Sequence, residues 1–363
     1  MHKFHIKKQI TKLYLLTFVR YFQIAGASWV ILLALRGFSL FEIGILESIF
    51  HIISFCFEIP SGVFADVFGR KKTLVISQIV ALLSSIGMLL SENFWTIAFS
   101  ISLNALSYNL DSGTREALAY DSLKKAGTEE AYTDYASTET MLYRITNSTA
   151  TLCAGFALWI GYKKAYAIDA ILLIAAVFIT RSLVEVRADG SPHSQRPVQS
   201  LKNVITESTS FLVFHKHTRS LMLISSLVSA VSILVLFFLQ AKLPMAGLNN
   251  TMLGPVLFII GLGAALGAKL VSYFPNSSYR FIVLICSTGV IFSFAMTFTG
   301  NLLFMAIGGF IGACCDNFLS VKTDILLNRM IPSEQRATLV SVNSFLFSII
   351  MIILSAPVGW IMG

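Results

Sequence analysis

Apolar residues run along this chain of 363 residues in long blocks separated by short polar intervals. A helix needs about 20 such residues to cross the roughly 30 Å hydrocarbon core of a bilayer. On that measure the pattern predicts membrane helices at about 13-35, 41-64, 73-91, 94-121, 135-160 and 165-185, and again at 219-241, 251-274, 281-299, 302-327 and 336-361. The polar interval 187-218 carries Asp-Gly-Ser-Pro-His-Ser-Gln-Arg-Pro, a run of turn formers that reads as a linker. The expected fold is therefore an all-α polytopic membrane protein with a six-helix half at 1-186, a linker at 187-218 and a five-helix half at 219-363.

Composition strengthens this reading. Hydrophobic residues make up 55% of the chain and charged residues only 13%, about half the charged share of a soluble domain. The net charge of +8 would suggest nucleic acid as a partner for a soluble protein. Here the cations sort by side, and no nucleic-acid partner is expected. With the N-terminus in the cytoplasm, only Arg36, Lys163, Lys164 and Lys242 fall outside, against some nineteen Lys and Arg inside. The expectation is a multi-pass protein of the cytoplasmic membrane with its C-terminus outside. The block at 13-35 is too long for the core of a signal peptide and is not followed by a small-residue cleavage site. Cys56, Cys153, Cys286, Cys314 and Cys315 lie within apolar runs with no metal-ligand or redox spacing. No metal, cofactor, nucleophile constellation or phosphate loop is expected, which leaves an enzyme little support.

The stretch from Glu58 to Lys72 concentrates polar chemistry where the second helix leaves the membrane. Gly62 permits a close backbone approach. Asp66, one turn on, is placed to meet the positive end of another helix. Gly69 allows a sharp exit, and Arg70, Lys71 and Lys72 hold the loop in the cytoplasm. Taken alone, the basic cluster is accounted for by topology. As a whole the stretch resembles the loop between the second and third helices of major facilitator superfamily transporters, with Gly62, Asp66, Gly69, Arg70 and Lys71 matching and Val67 departing. The two halves and the cytoplasmic linker resemble that family's pseudo-symmetric halves as well. The resemblance implies a latch in which Arg70 meets Asp121, at the inner end of the fourth helix, and Asp66 meets the start of the eleventh near Pro332-Ser-Glu-Gln-Arg336. It also implies that the twelfth helix is missing, which would leave a groove for lipid or a second subunit.

Several polar residues fall inside the apolar blocks, where they are costly unless they face protein or water. Glu47, His51, Ser54 and Glu58 share one face of the second helix. Glu58 either exchanges a proton or is satisfied by neighbouring helix ends. Asp111 and Arg115 stand one turn apart in the fourth helix, and Arg144 in the fifth lies at similar depth. These three are expected to form an ionic group, either a buried structural network or a site for substrate or protons. Arg20 and Gln23 in the first helix face either a central cavity or, for Arg20, the inner surface. Asp316 and Asn317 are cavity candidates in the tenth helix, and Asp169 is expected at the interface.

The fourth-helix run, Arg36 to Ser48 and Glu58 to Gly62 resemble a bacterial branch of the family often described as drug or tetracycline efflux proteins. Asn104 stands near the place of that branch's usual arginine, and Ala154-Gly155 lacks the usual proline. The resemblance implies a secondary active transporter that moves a small molecule by alternating access. Its preferred form is export of an amphipathic or cationic compound, driven by a proton gradient through Glu58, Asp111 or Asp316. Nutrient uptake is the alternative within transport. A non-transporting membrane sensor, scaffold or truncated remnant is the alternative outside it.

Overall fold

The computed structural model describes residues 5–186, 216–330 and 336–363. The linker expected at 187-218 and the segment 331-335 therefore lie almost wholly outside the described residues. Every described element is helical. The first span is built from α1 (Ile6–Tyr21), α2 (Ile24–Ala27) and α3 (Trp29–Ala34). The second is α4 (Leu40–Phe68), the third α5 (Arg70–Leu90), and the fourth is split into α6 (Phe94–Asp111) and α7 (Thr114–Lys125). The fifth is α8 (Tyr132–Leu152) with α9 (Ala154–Ile160), and the sixth α10 (Tyr162–Arg181). After the linker come α11 (Lys216–Met245), α12 (Asn250–Leu270), α13 (Tyr279–Met296), α14 (Leu302–Met330) and α15 (Arg336–Met362).

Three spans differ from the unbroken helices that the apolar pattern predicts. The first is interrupted at Phe22 and Gln23 and again at Ser28, the fourth at Ser112 and Gly113, and the fifth at Cys153. Apolar periodicity does not register such breaks because the residues around them remain buried. Gly113 has φ +73°, a left-handed conformation open to glycine at little cost. Seven helical stretches among the described residues are long and apolar enough to cross a membrane unaided: those of α4, α5 and α11 to α15. The other spans carry breaks or charges, and among the described residues they supply most of the buried Asp, Glu, Lys and Arg side chains.

Local sequence explains several helix starts. Ser39 and Glu42 form a reciprocal cap ahead of α4: the Glu42 N–H donates to Ser39 Oγ and the Ser39 N–H to Glu42 Oε2. Asn93 and Thr96 do the same for α6. Asn249 and Asn301 accept from the first turns of α12 and α14. Trp95, Trp159 and Trp360 are largely exposed at helix ends, the positions aromatic belts take at a membrane boundary.

The chain forms two compact units. The first comprises Met1–Ala27, Ile53–Cys153 and Ile160–Asn203. Its core packs Leu13, Leu16, Leu74, Leu118, Tyr135 and Leu183. The second comprises Ser28–Ile52, Ala154–Trp159 and Val204–Gly363. It thus gathers the ends of the first, second and fifth spans that lie opposite the Arg70 loop, and packs them on the helices after the linker. Small residues make that packing close. Gly44 lies on the Ser355 and Ala356 backbone, Gly359 on Leu40, and Gly155 on Asn250 and Thr251, in each case where an added Cβ would collide. Ser48 Oγ donates to the Ile352 carbonyl at 3.1 Å, and Trp29 meets Phe237 edge-on.

Candidate transport site

The densest polar cluster lies in the first unit around Arg115, only 4% exposed. Its guanidinium contacts Asp111 Oδ2 at 3.0 Å, Glu139 Oε1 at 3.0 Å and Glu116 Oε1 at 3.3 Å. It also lies over the Tyr21 ring, 5.3 Å from the centroid, a favourable place for a cation. Gln78 donates to the other oxygen of Asp111 at 3.0 Å, and Thr17 to Glu139 at 3.3 Å. Four spans therefore converge on one cation. Three carboxylates face it, so the cluster carries surplus negative charge when all are ionised, in surroundings where that surplus is poorly screened. The Arg115 Nε is buried without a partner, leaving one donor in reserve.

Arg144 does not join this cluster. It is exposed and rests over the ring of Tyr143, 5.7 Å from the centroid. Five residues separate it from Glu139, about 140° around a helix, so the two point to different faces of α8. Depth along the membrane matched Arg144 to Arg115, but helical phase selects Glu139, which the sequence reading passed over. Its one signal was a carboxylate in an otherwise uncharged part of the predicted fifth span.

The break in the first span organises a second cluster. The N–H groups of Ile24, Ala25 and Gly26 donate to the Asp169 carboxylate at 2.9, 3.1 and 3.0 Å. Asp169 is 1% exposed, so it is a buried cap and not the interfacial residue its neighbouring lysines suggest. Arg20 is buried and donates to Ser107 Oγ at 3.1 Å, leaving its Nε without a partner. The Gln23 Nε2, at the break itself, is also buried and unpartnered.

In the stretch from Glu58 to Lys72, Gly69 has φ +99° and ends α4 just before α5 begins. The freed N–H groups of Arg70 and Lys71 each donate to the Glu185 carboxylate at 3.0 Å. This is a charge-assisted cap on a helix start, made by a residue the sequence reading did not single out. The Arg70 side chain pairs with Asp121 and donates to the Ala117 carbonyl. Asp66 is exposed and has no hydrogen-bond or ion-pair partner among the described residues. Gly62 is exposed too, and a Cβ there would meet no atom within 4 Å, so the close approach expected at Gly62 is not seen. The partner expected for Asp66, near 332-336, lies outside the described side chains.

Along α4, His51 Nε2 is 3.3 Å from Glu47 Oε1, and the His51 ring meets Phe50 and Phe347 edge-on. Further along, Ser54 Oγ donates to Asn109 Oδ1 at 2.9 Å while Asn109 Nδ2 donates to the Ser54 carbonyl at 2.6 Å. Glu58 is half-buried and engaged, not isolated.

In the second unit Asp316 is buried and accepts from Ser229 Oγ. Asn317 donates to the Ala313 carbonyl at 3.1 Å, within its own helix. Lys322 is buried and donates to the carbonyls of Phe274 and Pro275 at 3.0 and 2.8 Å, bracing the turn after α12 beside a cavity of about 480 Å³. A second cavity, of about 250 Å³, opens among α11, α14 and α15 next to Asp316. No group of His, Cys, Asp or Glu fit to hold a metal ion occurs among the described residues.

The comparisons with known proteins fit this architecture. The chain is 21% identical over 322 residues to an uncharacterized MFS-type transporter, YxaM, of Bacillus subtilis (strain 168), covering 87% of this chain and 79% of that one. Its fold is similar to a mutant form of the nucleoside transporter NupG, with a TM-score of 0.78 at 15% identity, over 96% of this chain and 90% of the other. A bacterial homolog of the human lysosomal transporter Spinster, crystallised inward-facing and unoccupied, gives a TM-score of 0.74 at 16% identity, over 98% and 82%. A family model described as Major Facilitator Superfamily matches residues 13–356, nearly the whole chain. This multi-pass membrane protein therefore belongs to the Major Facilitator Superfamily of transporters.

Proposed function

We propose that the protein is a proton-driven exporter of amphipathic or cationic compounds in the cytoplasmic membrane, working by alternating access between its halves. The observation that carries the proton coupling is the Arg115 cluster, where one buried guanidinium faces three carboxylates. Adding a proton removes surplus negative charge, and losing it restores the excess. That change is felt at once by α1, α5, α7 and α8, which all supply groups to the cluster. Asp111 is the group assigned to coupling, because it alone joins both Arg115 and Gln78.

The orientation proposed is N-terminus in the cytoplasm and C-terminus outside. The glycine-lined packing of Leu40, Gly44 and Gly155 on the second half's helices then serves as the outer gate, shut in this conformation. Arg70, Asp121 and Glu185 form the fixed part of an inner latch that Asp66 completes when the cycle turns.

Inside-out vesicles with an acidic interior test this reading. They should load ethidium, a fluorescent amphipathic cation, in proportion to the pH difference, and Asp111→Asn should abolish loading while leaving insertion intact. Loading no faster than in vesicles without the protein would overturn export. Full pH-driven loading in the Asp111 variant would remove that residue from coupling.

A further inference from the structure

A lysine in a membrane helix ordinarily extends toward the headgroups. Lys322, on α14, is only 6% exposed and turns inward instead. Its Nζ donates to the carbonyls of Phe274 and Pro275, at 3.0 and 2.8 Å, in the turn between α12 and α13. Carbonyl dipoles orient an ammonium but leave its unit charge in place. Lys322 also lines the cavity of about 480 Å³ that this turn borders, so a fixed positive charge stands in the cavity wall.

The rest of the wall is of two kinds. Ala268 and Val271, at the end of α12, and Val321, Ile325 and Leu326 of α14 are apolar, and Ile325 is 38% exposed, so the apolar part reaches the outer surface of the helices. Asn276 and Ser277 add an amide and a hydroxyl from the turn that holds Lys322. Tyr279, also in the wall, shares a hydrogen bond with Thr323 at 2.9 Å that fixes the start of α13 against α14. Lys269 and Arg280 are exposed on either side of the turn, and Tyr273 and Phe274 are exposed within it. Exposed aromatic and basic residues gathered at the ends of membrane helices mark the headgroup layer.

These features select a ligand. A positive charge flanked by an amide and a hydroxyl calls for an anionic head, and an apolar wall running to the outer surface calls for a hydrocarbon tail. A water-soluble phosphate would use the first and leave the second bare. A space of about 480 Å³ takes a phosphate, its glycerol and the first carbons of the chains, the remainder lying along the outside of α14.

We propose that this cavity is a binding site for an anionic phospholipid, with the phosphodiester at Lys322, Asn276 and Ser277 and an acyl chain over Val321 and Ile325. An occupied site ties α12, α13 and α14 together at this end. In the orientation proposed above it belongs to the cytoplasmic leaflet. The assignment does not depend on the identity of the cargo or on the direction of transport.

Native mass spectrometry of the purified full chain, delipidated in detergent, tests it by counting bound molecules during titration. The probes are dioleoylphosphatidylglycerol (anionic), dioleoylphosphatidylcholine (zwitterionic, with the same chains) and glycerol phosphate (the head alone). The anionic lipid should bind about tenfold more tightly than either of the others, and Lys322→Met should weaken it by about tenfold, the worth of one hydrogen bond to a charged group. Because that change also removes the brace on the turn, Ala268→Phe is the second variant: it keeps Lys322, fills the apolar part and should lose the lipid to a similar extent. Lys164→Met, at an exposed lysine near the start of α10, should bind as wild type does. Phosphatidylcholine binding as tightly as phosphatidylglycerol would overturn selection by charge, and glycerol phosphate binding as tightly would overturn the lipid in favour of a free anion. Unchanged affinity in the folded Lys322 and Ala268 variants, or an equal loss in Lys164→Met, would overturn the assignment to this cavity.

Discussion

In the first half of the chain, helices are tied to one another by charge. Arg115 joins α7 to α6 and α8, Arg70 joins α5 to α7, and the carboxylates of Asp169 and Glu185 close the starts of α2 and α5. In the second half they are tied by closeness. Gly263 lies on the Phe310 carbonyl, Gly267 on the Cys314 carbonyl, Gly312 on Ser293 and Gly309 on Leu239, all at distances that leave no room for a Cβ. The one buried carboxylate among the described residues there, Asp316, is matched by a hydroxyl. Two halves of one architecture thus hold together by different means. An ionic contact can be switched by a single proton, whereas a contact between backbones has no titratable part. The ionic ties of the first half thus have titratable parts that the backbone contacts of the second lack.

The comparison can be broken most directly at its two centres. Arg115→Met leaves three carboxylates without their cation, a loss of about 3–5 kcal/mol by the usual cost of unpairing a buried charge. Thermal unfolding in detergent should show a large drop, partly recovered by adding Asp111→Asn; a stability equal to wild type would mean the cluster is not ionised. Gly267→Val drives a side chain into the Cys314 carbonyl and should cost about 1–3 kcal/mol by overpacking, independent of pH, in the same measurement.

Smaller effects sharpen the contrast. Asp169→Asn keeps an acceptor for the broken first span but loses the charge, which should cost about 1–2 kcal/mol and speed amide exchange at Ile24 to Gly26. Arg70→Ala leaves the buried Asp121 carboxylate without its cation and should cost about 1–2 kcal/mol, with a larger proportional effect on transport rate than on unfolding. Asp316→Asn keeps its bond to Ser229 and should change stability by less than about 1 kcal/mol. A large loss there would show that the second half also relies on charge.

Much of this was legible in the sequence because membranes impose length and polarity so strongly. Apolar runs located the spans, and the Gly62 to Lys72 spacing pointed to the family and to the neighbourhood of Arg70 and Asp121. What escaped was set by helical phase and by backbone breaks. Glu139 and Arg144 share a helix, and only the rotation between them decides which reaches Arg115. Asp169 followed two lysines and read as a boundary residue, because a break at Gln23 nearly 150 positions away is invisible in hydropathy. The serines that line the smaller of the two second-half cavities were hidden for a similar reason. They are scattered over three helices, and serine in a membrane helix is too common to draw notice until the fold gathers it.

The bond between Asp169 and the first span also bears on how the chain is made. Three backbone N–H groups, at positions 24 to 26, wait for a carboxylate that is synthesised 143 residues after the last of them. In hydrocarbon each unanswered group costs several kcal/mol. A first segment newly delivered to the bilayer is therefore better off as an unbroken rod, using its own carbonyls. It can bend only once the sixth span arrives with its acceptor. The kink in the oldest part of the nascent protein is one of the last features of its first half to form, and a chain halted before residue 169 would lack it.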